Sequence, residues 1–112
     1  MTNLGKRALF EPIRSIDSAS FTGSYQLIGS DGLTNPSVLF KIVNNSGTIV
    51  TISLDGINDH DILPANTFAL YDVGSDQQGA GGLLYISQGT SFYAKGSAST
   101  GLVYLVTMYQ GG

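Results

Sequence analysis

The sequence predicts an all-β fold, an antiparallel β-sandwich of about seven to nine short strands. Three observations lead there. Apolar and polar residues alternate in short runs, turn signals recur at roughly 8–12-residue intervals, and no window carries a helical period. A jelly-roll or Ig-like sandwich is expected, with a small β-barrel as the alternative. The 112 residues suit one domain. Residues 1–17 read as an N-terminal arm or edge segment and residues 18–112 as the sandwich domain.

In chain order, Lys6 and Arg7 precede a short apolar patch, Ala8-Leu9-Phe10. Pro12 lacks a backbone donor and stops any helix, so this stretch is extended or an edge strand. Residues 24–28 form the next expected strand, with Tyr25 and Leu27 on one face. Gly29-Ser30-Asp31-Gly32 supplies turn chemistry after it. Two strands then flank Asn44-Asn45-Ser46-Gly47. Val38, Phe40 and Ile42 share a face of the first, opposite Lys41; Val50, Ile52 and Leu54 share a face of the second. The spacing predicts a hairpin here, with a positive φ available at Gly47. Phe40, Ile42, Val50 and Ile52 are its core candidates.

Residues 66–73 read as a strand with Phe68 and Leu70 inward and Tyr71 on the other face. Residues 74–82, with four glycines, read as a projecting tip, and residues 83–86 as a short strand. Phe92 and Ala94 oppose Tyr93 and Lys95 in the next strand. Phe40, Phe68 and Phe92 are expected in the core. Residues 102–109 are almost wholly apolar, as suits a central strand covered on both faces.

Composition excludes several function classes. Net charge is −3 and only 12% of residues are charged. The basic residues Lys6, Arg7, Arg14, Lys41 and Lys95 form no dense patch, which disfavours specific nucleic-acid binding. No run reaches transmembrane length and the N-terminus lacks the apolar core of a signal peptide, so no membrane role is expected. Without cysteine there is no disulfide framework and no thiolate chemistry.

Asp55, Asp59, His60 and Asp61 are the one cluster with ligand chemistry. The EF-hand pattern fails, because His60 stands where the loop glycine belongs and Asn66 where the bidentate glutamate belongs. Asp55, Asp59 and Asp61 are weak candidates for a cation; the other readings are a solvated turn or a subunit contact through His60 or Asp61. His60 is the sole base available to a serine nucleophile, and no serine sits in a nucleophile elbow. Glu11 with an aspartate could pair for glycoside hydrolysis, but no spacing favours it. The glycine-rich stretch matches neither phosphate-binding fingerprint. No enzyme activity and no cofactor are expected.

The run Leu63-Pro64-Ala65-Asn66-Thr67-Phe68-Ala69-Leu70-Tyr71-Asp72 resembles small β-rich accessory structural proteins of tailed bacteriophage virions. So does the closing stretch from Gly89-Thr90-Ser91-Phe92-Tyr93-Ala94-Lys95-Gly96 through Val103-Tyr104-Leu105. The likeness is one of style over most of the chain, and no catalytic residue comes with it. It implies a non-enzymatic part of the virion, in a head–tail connector or collar or as capsid decoration. Such a part is made in the host cytoplasm, forms homo-oligomers and binds other virion proteins (portal, neck or major capsid protein). The interface candidates are Lys6, Arg7, Phe10, Tyr71, Gln77, Gln78, Tyr93 and Tyr109. The alternative is a carbohydrate- or receptor-binding sandwich of a fibre, using exposed tyrosines and the acidic loop.

Overall fold

The computed structural model describes residues 7–75 and 84–111, which hold nine strands and no α-helix. They are β1 (Arg7–Phe10), β2 (Arg14–Asp17), β3 (Gln26–Leu27), β4 (Leu39–Ser46), β5 (Val50–Ser53), β6 (Asp61–Leu63), β7 (Thr67–Asp72), β8 (Tyr93–Lys95) and β9 (Gly101–Gly111). All pairings are antiparallel. β2 pairs with β9, β3 with β8, β4 with β7 and β5 with β6. That is one long hairpin of eight strands, β2 through β9. Rolling it up adds the contacts β4–β9 and β5–β8. The result is two sheets, ordered β1-β9-β4-β7 and β3-β8-β5-β6, with β2 in line with β1 along β9. The sandwich is therefore a jelly roll.

Its core lies between the sheets. Phe40, Ile42, Val103 and Leu105 face Val50, Ile52, Leu63 and Ala94. Phe40 crosses the layer to meet Phe92 edge-on, centroids 4.9 Å apart, and stacks on Tyr71 at 4.5 Å. Such pairs contribute beyond the area they bury.

The expected hairpin does not form. β4 and β5 belong to different sheets, although Phe40, Ile42, Val50 and Ile52 are all buried. Both runs alternate as a hairpin would, but their apolar faces look at each other across the core. Asn44-Asn45-Ser46-Gly47 is thus a corner between layers. Asn44 and Ser46 continue the inward phase of β4 and are fully buried. The Asn44 amide nitrogen donates to the carbonyls of Thr48 (2.9 Å), Leu63 (3.1 Å) and Pro64 (3.0 Å). Its carbonyl oxygen accepts from the Ser46 amide and hydroxyl. One side chain so joins the end of β4, the corner and the end of β6. Gly47 is not among the positive-φ glycines; the strained position is Gly101, opposite Ser46 at φ 104°, where a Cβ would lie 2.1 Å from the Asn45 carbonyl.

Three further expectations need correction. On β7 the inward residues are Ala69 and Tyr71, while Phe68 and Leu70 point outward, 65% and 56% exposed. Apolarity favoured Phe and Leu for the core. Tyr71 displaces them because its ring stacks on Phe40, directly opposite in the ladder. The expected strand at residues 83–86 reduces, in its described part, to one bridge between Ile86 and Ser37. Central β9 is covered by the second sheet on one face only.

The corner yields a first prediction. Asn44→Leu should lower unfolding free energy by about 2–4 kcal/mol, because it strands several buried backbone acceptors; urea titration checks it. The β7 phase yields a second. Phe40→Ala should cost about 3–5 kcal/mol, whereas Phe68→Ala should stay within about 0.5 kcal/mol of the parent. Equal losses for the two variants would contradict the outward setting of Phe68.

Candidate functional site

The acidic loop follows β5. Asp55 accepts from the Ser53 hydroxyl, the amides of Ile57 and Asn58, and the Asn58 side chain, each at 2.8 Å. The Asn58 donors, then those of Ile57 and Ser53, hold this carboxyl well below the usual carboxylate range. His60 accepts from the Leu54 amide through Nδ1 at 3.0 Å, and its Nε2 lies 3.9 Å from Asp55. Asp59 points the other way. It accepts from the Tyr25 hydroxyl and pairs with Lys95 at 3.1 Å, while the Lys95 ammonium sits 4.5 Å above the Tyr25 ring. Tyr25 and Lys95 lower the Asp59 pKa. Burial, then Asp59 and Asp55, push the Tyr25 hydroxyl up to about 12. Asp61 accepts from the Ile62 amide. Among the described residues no three acidic or histidine groups converge as a metal site would require. The loop's oxygens serve to shape the loop and to tie it to the β3–β8 edge.

A second polar cluster was not legible as such in the sequence. Glu11 and Arg14 flank Pro12 between β1 and β2, both almost fully buried and 3.0 Å apart. Arg14 also binds Asp31 at 3.2 Å and donates to the Gly32 carbonyl at 2.9 Å. Glu11 accepts from the amides of Thr34 (3.2 Å) and Asn35 (2.7 Å) and from the Asn35 side chain (3.1 Å). Burial alone would raise the Glu11 pKa. The donors of Thr34, Asn35 and Arg14 outweigh it and hold the carboxyl below its ordinary value. Both Glu11 oxygens face protein donors, so the cluster stitches residues 31–35 to the sheet edge.

The outer face of the larger sheet is different. Register places Phe10, Met108, Leu39 and Asp72 in one row, Val106, Lys41 and Leu70 in the next, and Ser15, Tyr104, Val43 and Phe68 in a third. Eight of these eleven side chains are apolar or aromatic, Lys41 sits at the centre with Asp72 and Ser15 at the margins, and Phe10 is 65% exposed. A contiguous apolar patch of a few hundred Å² often marks a contact site.

The interface candidates scatter about this geometry. Phe10 lies on the outer face. Arg7 is exposed on β1 opposite Gly111. Tyr93 lies on the outer side of the other sheet, its ring 3.4 Å from where a Cβ on Gly56 would stand. Tyr109 is half-buried on β9 opposite Leu9. Tyr71 points inward with its ring stacked on Phe40 and is half-buried. Lys6, Gln77 and Gln78 lie outside the described residues, as does most of the 74–82 tip. Sequence reasoning missed Phe68, Leu70 and Val106 as outward-facing residues. The signal was present in the unbroken apolar run of β9, read instead as coverage on both sides.

Compared by sequence, the chain matches no protein-family model and no curated protein. Among solved structures it is similar to a chain described under "Bacillus endospore appendages form a novel family of disulfide-linked pili". The two align over 100% of this chain and 96% of that one, at 10% identity and a TM-score of 0.51. At that identity the likeness concerns the fold.

The Glu11 cluster generates a prediction about acid. Its folded-state pKa lies below the unfolded value, so its stabilisation is present above about pH 4.3 and is lost as pH falls through the folded pKa. Unfolding free energy from urea curves should fall between about pH 5 and 2. Glu11→Gln should lower stability at pH 7 and flatten that acid limb. An unchanged slope would remove Glu11 as a source of it.

Proposed function

We propose that this chain is a non-enzymatic structural subunit that works by assembling with copies of itself. Its setting is the tailed-bacteriophage virion that the resemblance implies, at the head, neck or capsid surface. The observation that carries the reading is the outer face of the larger sheet. Phe10, Leu39, Val43, Phe68, Leu70, Tyr104, Val106 and Met108 share it with two charges, Lys41 at its centre and Asp72 at its β7 margin. Desolvating such a face is favourable at about 25 cal/mol per Å² of apolar area, and homomeric interfaces are the more apolar class.

The extent of the face suits that role. It is four strands wide and β4 spans eight residues, giving a footprint of roughly 19 by 27 Å. Covered on two subunits, a surface of this size approaches the range of about 1,200–2,000 Å² for specific interfaces. The polar clusters support the same reading from the other side, since their carboxylates are engaged by the protein itself. A protein of the same fold belongs to disulfide-linked pili. This chain has no cysteine, so its own assemblies are held without disulfides.

Sedimentation of the purified protein over a range of concentrations tests the proposal. A discrete oligomer is expected, with at least a tenfold weaker association for Val106→Lys. Binding to particles assembled without the protein tests the setting. A chain that stays monomeric and ignores such particles would refute the reading.

A further inference from the structure

Each sheet of the sandwich has two edges, and an unprotected edge is a template for another strand. Three of the four are blunted. The β1/β2 line is interrupted at Glu11, Pro12 and Ile13, where Pro12 has no donor and Glu11 and Arg14 are locked in their buried pair. β3 is two residues long. β6 is three residues long, carries Asp61 and runs into Pro64. β7 is unlike them. It runs six residues, Thr67–Asp72, without proline, glycine or a basic residue. Among the described residues the backbone groups of Phe68, Ala69, Leu70 and Tyr71 bond only toward β4.

We infer that β7 is the edge through which two copies join, pairing antiparallel with the β7 of a second copy about a two-fold axis. The inference rests on the self-assembly reading above and names its geometry. An antiparallel edge is its own complement, because a two-fold rotation presents each outward donor with an acceptor of the copy. The side chains agree with that partner. Pairing centred on Ala69 sets Phe68 against Leu70 of the copy, and pairing centred on Leu70 sets Leu70 against itself. Either way outward residues meet outward residues and Ala69 and Tyr71 stay on the inner side. The one charged residue of the strand, Asp72, lies near its end. In both registers the two copies' Asp72 stand about 14 Å apart or more, beyond the screening length of about 8–10 Å. The joined sheets make one apolar outer face, with Phe68 and Leu70 at the seam.

The absence of native cysteine makes the test direct. Phe68→Cys and Leu70→Cys are made singly and oxidised separately and as an equal mixture. Ala8→Cys on the β1 edge and Val106→Cys mid-face serve as comparison positions. Expected is a disulfide dimer from Leu70→Cys alone or from the mixture, forming at least tenfold faster than from either comparison variant. Oligomers in sedimentation with cross-linking at Val106→Cys or Ala8→Cys instead would overturn the β7 pairing and leave self-assembly standing. A monomer with no cross-link at any position would overturn both. Leu70→Lys, which keeps the strand but charges the seam, should dissociate the dimer; unchanged sedimentation would also overturn the inference.

Discussion

The fold turns on one carboxamide. A jelly roll must pass its chain from one sheet to the other at the end of β4, and there the backbone leaves the ladder while still inside the molecule. Unpaired buried carbonyls are costly. Asn44 meets that cost with a donor group that reaches Thr48, Leu63 and Pro64 together and an acceptor that holds Ser46. Few side chains offer both functions in so short a reach. An aspartate would lack the donors and a leucine both. Because Leu63 and Pro64 end β6, the same group fixes where β7 begins, and with it the phase that sends Phe68 and Leu70 outward.

The sequence carries some of this and hides the rest. Alternation in β4 and β5 identifies Phe40, Ile42, Val50 and Ile52 as buried, and burial is what alternation encodes. It does not encode which sheet a strand joins. A polar corner and a polar hairpin turn share the composition Asn-Asn-Ser-Gly. They differ in whether the asparagine faces inward, which follows only from extending the phase of Phe40 and Ile42 through Asn44 and Ser46. For β7 the difficulty is that both faces are plausible cores. Phe68/Leu70 is the more hydrophobic pair. Ala69/Tyr71 is the pair that faces in, with the Tyr71 ring stacked on Phe40. The Glu11–Arg14 pair was invisible for a different reason, since its partners at residues 31–35 come from a distant loop.

The polar clusters and the apolar face are two sides of one arrangement. Jelly-roll loops gather at the ends of the sandwich, and here their charged groups bond inward to the protein. Asp55 shapes its own turn, Asp59 ties that turn to Tyr25 and Lys95, and Glu11 holds residues 31–35. Charges so engaged leave little for a ligand to compete for. The broad outer face of the larger sheet, by contrast, holds two charges, Lys41 at its centre and Asp72 at its β7 margin, among apolar and aromatic side chains. A surface with few directional polar groups recognises shape and repetition better than it recognises a small molecule.

That division also bears on how an assembly of such subunits would be held. A chain with cysteines can lock neighbours covalently, and one without must rely on area and on main-chain hydrogen bonds. Strand pairing is the economical solution for a sandwich of this size, because an edge already carries its donors and acceptors in register and loses little entropy on docking. A single open edge on each copy closes as a two-fold pair and stops there. Growth beyond the pair then falls to the broad apolar face, which the pairing leaves continuous and uncovered. On the proposed reading, edge and face are successive interfaces and not rival ones.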